Sequence, residues 1–159
     1  MNRRDFLSGV VAVPTAVALR PLEQTPTPAT TRAKTGLKVG TVTYNIAKDW
    51  DVPTIIKNLT EVGMDAVELR TTHKHGVEIS LSPAARAEVR KQFADSPVKI
   101  GGLGTTCEYH SPDAALVRKN VEETKAWVTL AKDLGPPSVK VRPNGLPKDV
   151  PEEKTLEQI

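Results

Sequence analysis

From residue 37 onward the chain switches repeatedly between two hydrophobic periods, one that suits a strand and one that suits a helix. "LKVGTVTY" (37–44) reads as a strand, and "VPTIIKNLTEVG" (52–63) as a helix whose Ile55, Ile56, Leu59 and Val62 form one apolar face ending at Gly63. "DAVELR" (65–70) is a second strand. After a polar loop, "SPAARAEVRKQF" (82–93) places Ser82 as a cap and Pro83 in the first helical turn. "VKIGGLGTT" (98–106) repeats the strand signal. It leads to Ser111 and Pro112 as a helix start, and to a long helix with Val117, Val121, Thr124, Val128 and Ala131 at helical spacing, stopped by Gly135, Pro136 and Pro137. "SVKVR" (138–142) is a fourth strand, and "PEEKTLEQI" (151–159) opens a fourth helix.

Strand, helix, strand, helix in series predicts an α/β fold with a parallel sheet covered by helices. Successive side chains of a strand point to opposite faces. Val67 and Leu69 therefore share one face of the second strand and Glu68 and Arg70 the other; in the fourth, Val139 and Val141 oppose Lys140 and Arg142. A doubly wound sheet has helices on both faces and wants apolar residues on both. One apolar face and one charged face instead suit (β/α) barrel units whose polar inner face meets a substrate. The competing account is that strand ends reach solvent, so that their charges carry no message.

Composition changes this picture little. With 38% hydrophobic and 26% charged residues the chain is ordinary for a globular domain. The net charge of +3 is a property of its beginning: five of the 22 basic and two of the 19 acidic side chains lie in residues 1–34, leaving 17 of each from 35 to 159. A neutral body gives no argument for nucleic acid or an anionic membrane. The single cysteine, Cys107, excludes an internal disulfide framework and a multi-cysteine zinc site, and reads as a small buried residue.

The basic beginning has an explanation of its own. "NRRDFL" sets Arg3 and Arg4 before Phe6 and Leu7, followed by an uncharged stretch from Ser8 to Leu19 with "AVA" at 16–18. This reads as a twin-arginine signal peptide over 1–18, implying passage through the twin-arginine export machinery to a periplasmic or extracellular location. The alternative is a frayed basic tail. A bilayer-spanning helix needs ~20 apolar residues, so no stable membrane anchor is expected here. Residues 19–36, rich in Pro and Thr, read as a disordered linker before the folded region 37–159.

Taken together, "ELRTTHKHG", "GLGTTCEYHSPD", "VRKNVEETKAWVTLAKDLG" and "VKVRPNGLPKDVP" resemble the N-terminal half of a sugar phosphate isomerase/epimerase of the xylose-isomerase-like TIM barrel superfamily. The resemblance implies a (β/α)8 barrel, a sugar or polyol substrate, and metal-assisted proton transfer next to a carbonyl using Mn, Mg, Zn or Co. A full barrel takes ~250 residues. In the isomerase and epimerase branches the metal-binding Glu, Asp, His and Glu come from later strands, so no metal ligand is assigned to this chain. It is expected to be a truncated chain lacking the metal site and inactive alone, or else a half-barrel that must pair with a partner, an oligomer being possible. Two other classes stay open: a noncatalytic carbohydrate-binding barrel, and an endonuclease IV-like metal phosphodiesterase, which the neutral body and export signal disfavour.

Candidate site residues fall after the strands, at the carboxyl ends where barrel enzymes place their chemistry. Glu68 and His110 are the catalytic candidates. Glu68 could hold a sugar hydroxyl, act as acid/base, or simply pair with Lys140 or Arg142, since charges inside a barrel need partners. His110, which the resemblance places in the substrate pocket, could bond a hydroxyl, ligate a metal, or donate to a loop carbonyl. Tyr44, His73, His75, Glu108, Arg142 and Asn144 are the substrate-contact candidates. His73 and His75 could share a metal in an extended segment or lie in an exposed loop. Arg142 and Asn144 suit a phosphate, carboxylate or hydroxyl, or belong to a turn.

Overall fold

The alternation of periods folds as four strand and helix units in order. β1 (Gly40–Val42), α1 (Val52–Glu61), β2 (Ala66–Arg70), α2 (Pro83–Ala94), β3 (Lys99–Gly104), α3 (Ala114–Leu134), β4 (Val139–Lys140) and α4 (Glu152–Gln158) follow one another in the computed structural model. Residues 36–142 and 145–159 are described. The proposed signal peptide (1–18), nearly all of the proposed linker (19–36) and Asn144 lie outside them.

The four strands form one parallel sheet in the order β1-β2-β3-β4, so the protein is an α/β fold in which each strand lies beside its sequence neighbour. Between β2 and β3 the register shifts: Val67 pairs with Ile100 but Glu68 with Gly102, leaving Gly101 as the extra residue of a bulge. The strands are shorter than the sequence runs suggest. Hydrogen bonds from Asp65 N to Val39 O and from Thr43 N to Glu68 O carry the pairing past both ends of β1, and Thr105 N to Lys140 O does the same for β3.

Caps fix where the helices start. The Asp51 carboxylate accepts the Thr54 N–H at 2.9 Å, and the Ser82 hydroxyl accepts that of Ala85 at 3.2 Å, each followed by a proline whose missing N–H costs nothing in the first turn. In α3 the cap is Asp113, not Ser111: its Oδ1 accepts from the N–H groups of Ala115 (2.8 Å) and Leu116 (3.4 Å). The Ser111 hydroxyl accepts from the N–H of Asp113 itself, two residues too early to start the helix. Gly135, at φ +92°, ends α3 in a left-handed cap conformation open to glycine.

The apolar strand face packs on the helices. Val67 and Leu69 from β2, Ile100 and Leu103 from β3, Ile55 and Leu59 from α1, Phe93 from α2, and Trp127, Leu130 and Leu134 from α3 belong to one buried cluster. Two helix faces differ from expectation. Val62 is 67% exposed, because α1 ends at Glu61 and Val62 is its C-cap. In α3 the buried stripe is Trp127, Leu130, Ala131 and Leu134, while Val121 and Val128 are exposed. Both stripes have helical spacing; the one with tryptophan and two leucines removes more apolar surface from water and faces the sheet. Among the described residues no helix is long and apolar enough to cross a membrane.

Candidate functional site

The opposite sheet face carries the charges. Register places Val42 beside Glu68, Glu68 beside Gly102, Arg70 beside Gly104, and Gly104 beside Lys140. Gly104 leaves room for the glutamate, and Gly102 for Ser138. A Cβ on Gly104 would stand 2.8 Å from Glu68 Oε1, and one on Gly102 would stand 2.8 Å from Ser138 Oγ and 3.9 Å from Glu68 Cγ. Into that space Lys140 Nζ donates to Glu68 Oε1 at 2.7 Å. The sequence left Glu68 with two possible cations; the structure selects Lys140, and Arg142 Nη2 turns to Glu108 Oε1 at 3.0 Å.

Gly104→Ala should therefore act through Glu68. We expect a destabilisation of about 1 kcal/mol in urea unfolding, at the low end for crowding because the end of the Glu68 side chain can give way, and much less of it in a Glu68→Ala background. Additive losses in this double-mutant cycle would contradict the contact.

At the carboxyl end of this face lies a cavity of about 270 Å³ lined by Val42, Tyr44, Arg70, Gly104, Thr105, Lys140 and Arg142. The Arg70 guanidinium sits 4.2 Å from the centre of the Tyr44 ring, an attraction between cation and ring face. Arg142 Nε is buried and has no hydrogen-bond partner among the described residues, a costly state for a donor.

The histidines play different parts. Thr43, fully buried, accepts the Arg70 N–H at 2.9 Å, so its own proton is available to His73 Nδ1 at 3.1 Å. His75 lies 3.4 Å from the same hydroxyl. Its Nδ1 accepts the Val77 N–H at 3.0 Å, which leaves the proton on Nε2, donated to the Arg70 carbonyl at 2.9 Å. Burial, above all, lowers the His75 pKa to about 4, with the nearby His73 adding to the shift; the bond to the Arg70 carbonyl opposes it. His73 is also lowered, first by burial and then by the Arg70 charge. His75 is thus a neutral, buried brace that holds the loop after β2, and the pair does not converge on a shared site: His75 has committed both ring nitrogens to backbone.

His110 lies apart from the groove. With Ser111, Pro112, Val150, Lys154, Thr155 and Gln158 it lines a second cavity of about 390 Å³, where the loop after β3 meets α4. Gln158 Nε2 donates there to the carbonyls of Ser111 (2.9 Å) and Tyr109. His110 Nε2 is 3.9 Å from Glu108 Oε2, and its Nδ1 is buried without a partner among the described residues. Glu108 consequently links the two regions, facing Arg142 on one side and His110 on the other. Cys107 is buried.

Of the residues singled out from sequence, Tyr44 and Arg142 line the groove, Glu68 is tied to its wall through Lys140, and Glu108 is attached through Arg142. His73 stands beside it, with its ring stacked at 6.5 Å from that of Tyr44. The contributions of Arg70 as a wall residue and of Gly102 and Gly104 as the open floor were missed. The signal for the glycines was present as "GGLG" inside a strand, where glycine marks a bulge or a close approach. Among the described residues no group of three or more His, Cys, Asp or Glu side chains is placed to hold a metal ion. The groove carboxylates do not fit one either, since Glu68 and Glu108 are each held by a cation. The chain matches no protein-family model, and no curated protein matches it.

Proposed function

We propose that the four units are half of a (β/α)8 barrel of the xylose-isomerase-like kind, and that the charged sheet face is the inner wall on which a small sugar or polyol binds. The observation that carries this reading is the one-sided sheet: Lys140, bonded to Glu68 at 2.7 Å, lines a cavity with Gly104 at the carboxyl ends of the strands, while the other face is packed under helices. Sequential parallel strands support it, as does the unpaired outer edge of β1 and of β4 among the described residues, which further strands of a closed barrel cover. Export through the twin-arginine route belongs to the same proposal and rests on residues 1–19 alone.

In this reading Arg142 and Tyr44 orient hydroxyl or carbonyl oxygens, and Arg70 adds positive charge beside them. Glu68 accepts or returns a proton at a carbon next to a carbonyl, and Lys140 holds its carboxylate in place. The ion pairing of both carboxylates favours a second reading, a noncatalytic carbohydrate-binding wall, because each already spends an oxygen on a cation of the wall.

Incubating the 159-residue chain with keto sugars and polyols in D2O separates the two. Deuterium entering the carbon next to the carbonyl, lost in Glu68→Gln while calorimetric binding persists, is the result expected of the catalytic reading. Binding without exchange supports the second reading, and absence of binding to every sugar and polyol rejects both.

A further inference from the structure

We infer that Glu78 is a positioning residue: its carboxylate pins the loop after β2 in a strained backbone conformation, and that loop holds the Arg70 and Tyr44 wall of the groove in place. The consequence for a ligand rests on the groove being the ligand site; the positioning itself is tested without one.

The strain is local. Among the described residues Thr72 is the only non-glycine at positive φ, +67°. A β-branched residue rarely adopts that region, because its side chain crowds the backbone, and it stays there only where its surroundings compel it. Glu78 does so with both oxygens. Oε1 accepts the Thr72 N–H at 2.6 Å, and Oε2 accepts the Thr71 hydroxyl at 2.7 Å. Bonds to a charged acceptor are stronger than bonds to a neutral one, so the peptide between Thr71 and Thr72 is firmly fixed.

The hold passes into the groove through the residues that follow. His73 Nδ1 meets the Thr43 hydroxyl at 3.1 Å, the Lys74 N–H donates to Lys48 O at 2.9 Å, and His75 Nε2 donates to Arg70 O at 2.9 Å. Thr43 in turn accepts the Arg70 N–H at 2.9 Å. Arg70 is therefore gripped at its N–H and its carbonyl by partners that the loop supplies or braces. Thr71 beside it is paired through its N–H to Gly104 O at 2.9 Å. Lys48 belongs to the loop after β1 that also carries Tyr44, so the two loops are tied together. The Arg70 guanidinium ends 4.2 Å from the centre of the Tyr44 ring, and the His73 ring stacks 6.5 Å from that same ring. A wall fixed beforehand gives up little freedom when a ligand meets it. Were Thr72 to return to negative φ, the bonds made by residues 73–75 would lose their aim together.

The test reads Arg70 by NMR in the 159-residue chain without ligand. The Tyr44 ring shifts the Arg70 side-chain protons upfield, and Tyr44→Leu supplies the unshifted reference. Glu78→Ala is expected to lose most of that upfield shift, while Glu78→Gln, which keeps an oxygen for the Thr72 N–H, retains most of it. Adding Thr72→Gly to Glu78→Ala is expected to restore the shift, because glycine takes φ +67° unaided. A Glu78→Ala protein that melts earlier with the Arg70 shift intact overturns the positioning role. A shift lost in Glu78→Ala and not recovered with Thr72→Gly overturns it too, since the route then bypasses the Thr72 backbone. Should Glu78→Ala alone fail to fold by circular dichroism, the double variant decides: folded with the shift restored upholds the inference, and unfolded rejects it. Where a keto sugar or polyol binds the unaltered chain, its affinity should fall roughly tenfold in Glu78→Ala and return in the double variant. Unchanged affinity with the Arg70 shift lost rejects the groove as the ligand site and leaves the positioning role standing.

Discussion

Acidification from pH 7 to 4 is expected to remove about 3 kcal/mol of folding stability through His75 alone. The folded pKa is about 4, against an unfolded value of about 6.5. The unfolded chain therefore takes up the proton first as pH falls, and stability is lost across that window; above pH 6.5 the contribution is complete. The structural cause is specific. Protonating Nδ1 destroys the bond accepted from the Val77 N–H and places a charge in a side chain that is 8% exposed, beside His73. Urea unfolding at a series of pH values measures the loss. In His75→Gln, less stable at pH 7, the acid-dependent part should be smaller by about the same amount, whereas an unchanged pH slope would show that His75 is not held neutral.

Truncating Trp127 to alanine should cost about 3–5 kcal/mol, as for other large aromatic side chains removed from a core. Trp127 is the largest fully buried side chain among the described residues, 1% exposed in the cluster between α3 and the sheet. Val128→Ala, on the adjacent but exposed stripe, should change stability by less than about 1 kcal/mol. The pair discriminates between the two candidate faces of α3, with equal losses indicating that the helix is rotated from the arrangement described.

That rotation shows what a sequence pattern can and cannot carry. Periodicity placed all four strands and helices, because Val67 and Leu69 alternating with Glu68 and Arg70 leave few other conformations, and Ser82 with Pro83 marks a helix start from local chemistry alone. It picked the stripe of Val121 and Val128 in α3 where Trp127, Leu130 and Leu134 are the buried ones, since that choice depends on the sheet the helix meets. Ser111 and Asp113 both qualify as caps by residue type, and only backbone geometry decides which hydroxyl or carboxylate reaches the free N–H groups. Glu68, Lys140 and Arg142 were legible as one charged face. Which cation each glutamate takes was not, because that depends on the bulge at Gly101 and on cross-strand register. His75 looked like a loop ligand until the distances to Val77 N and Arg70 O showed both nitrogens in use.

The central claim is that the charged sheet face at the strand carboxyl ends is where a ligand sits. The most direct measurement is a ¹⁵N-detected titration of the chain with keto sugars and polyols, following the backbone amides together with the arginine Nε–Hε signals. The account requires saturable shifts at Gly104, Thr105, Lys140 and Tyr44, with the Nε–Hε signal of Arg70 among the largest. Shifts gathered instead around His110, Lys154 and Gln158, or none at saturating ligand, would contradict it.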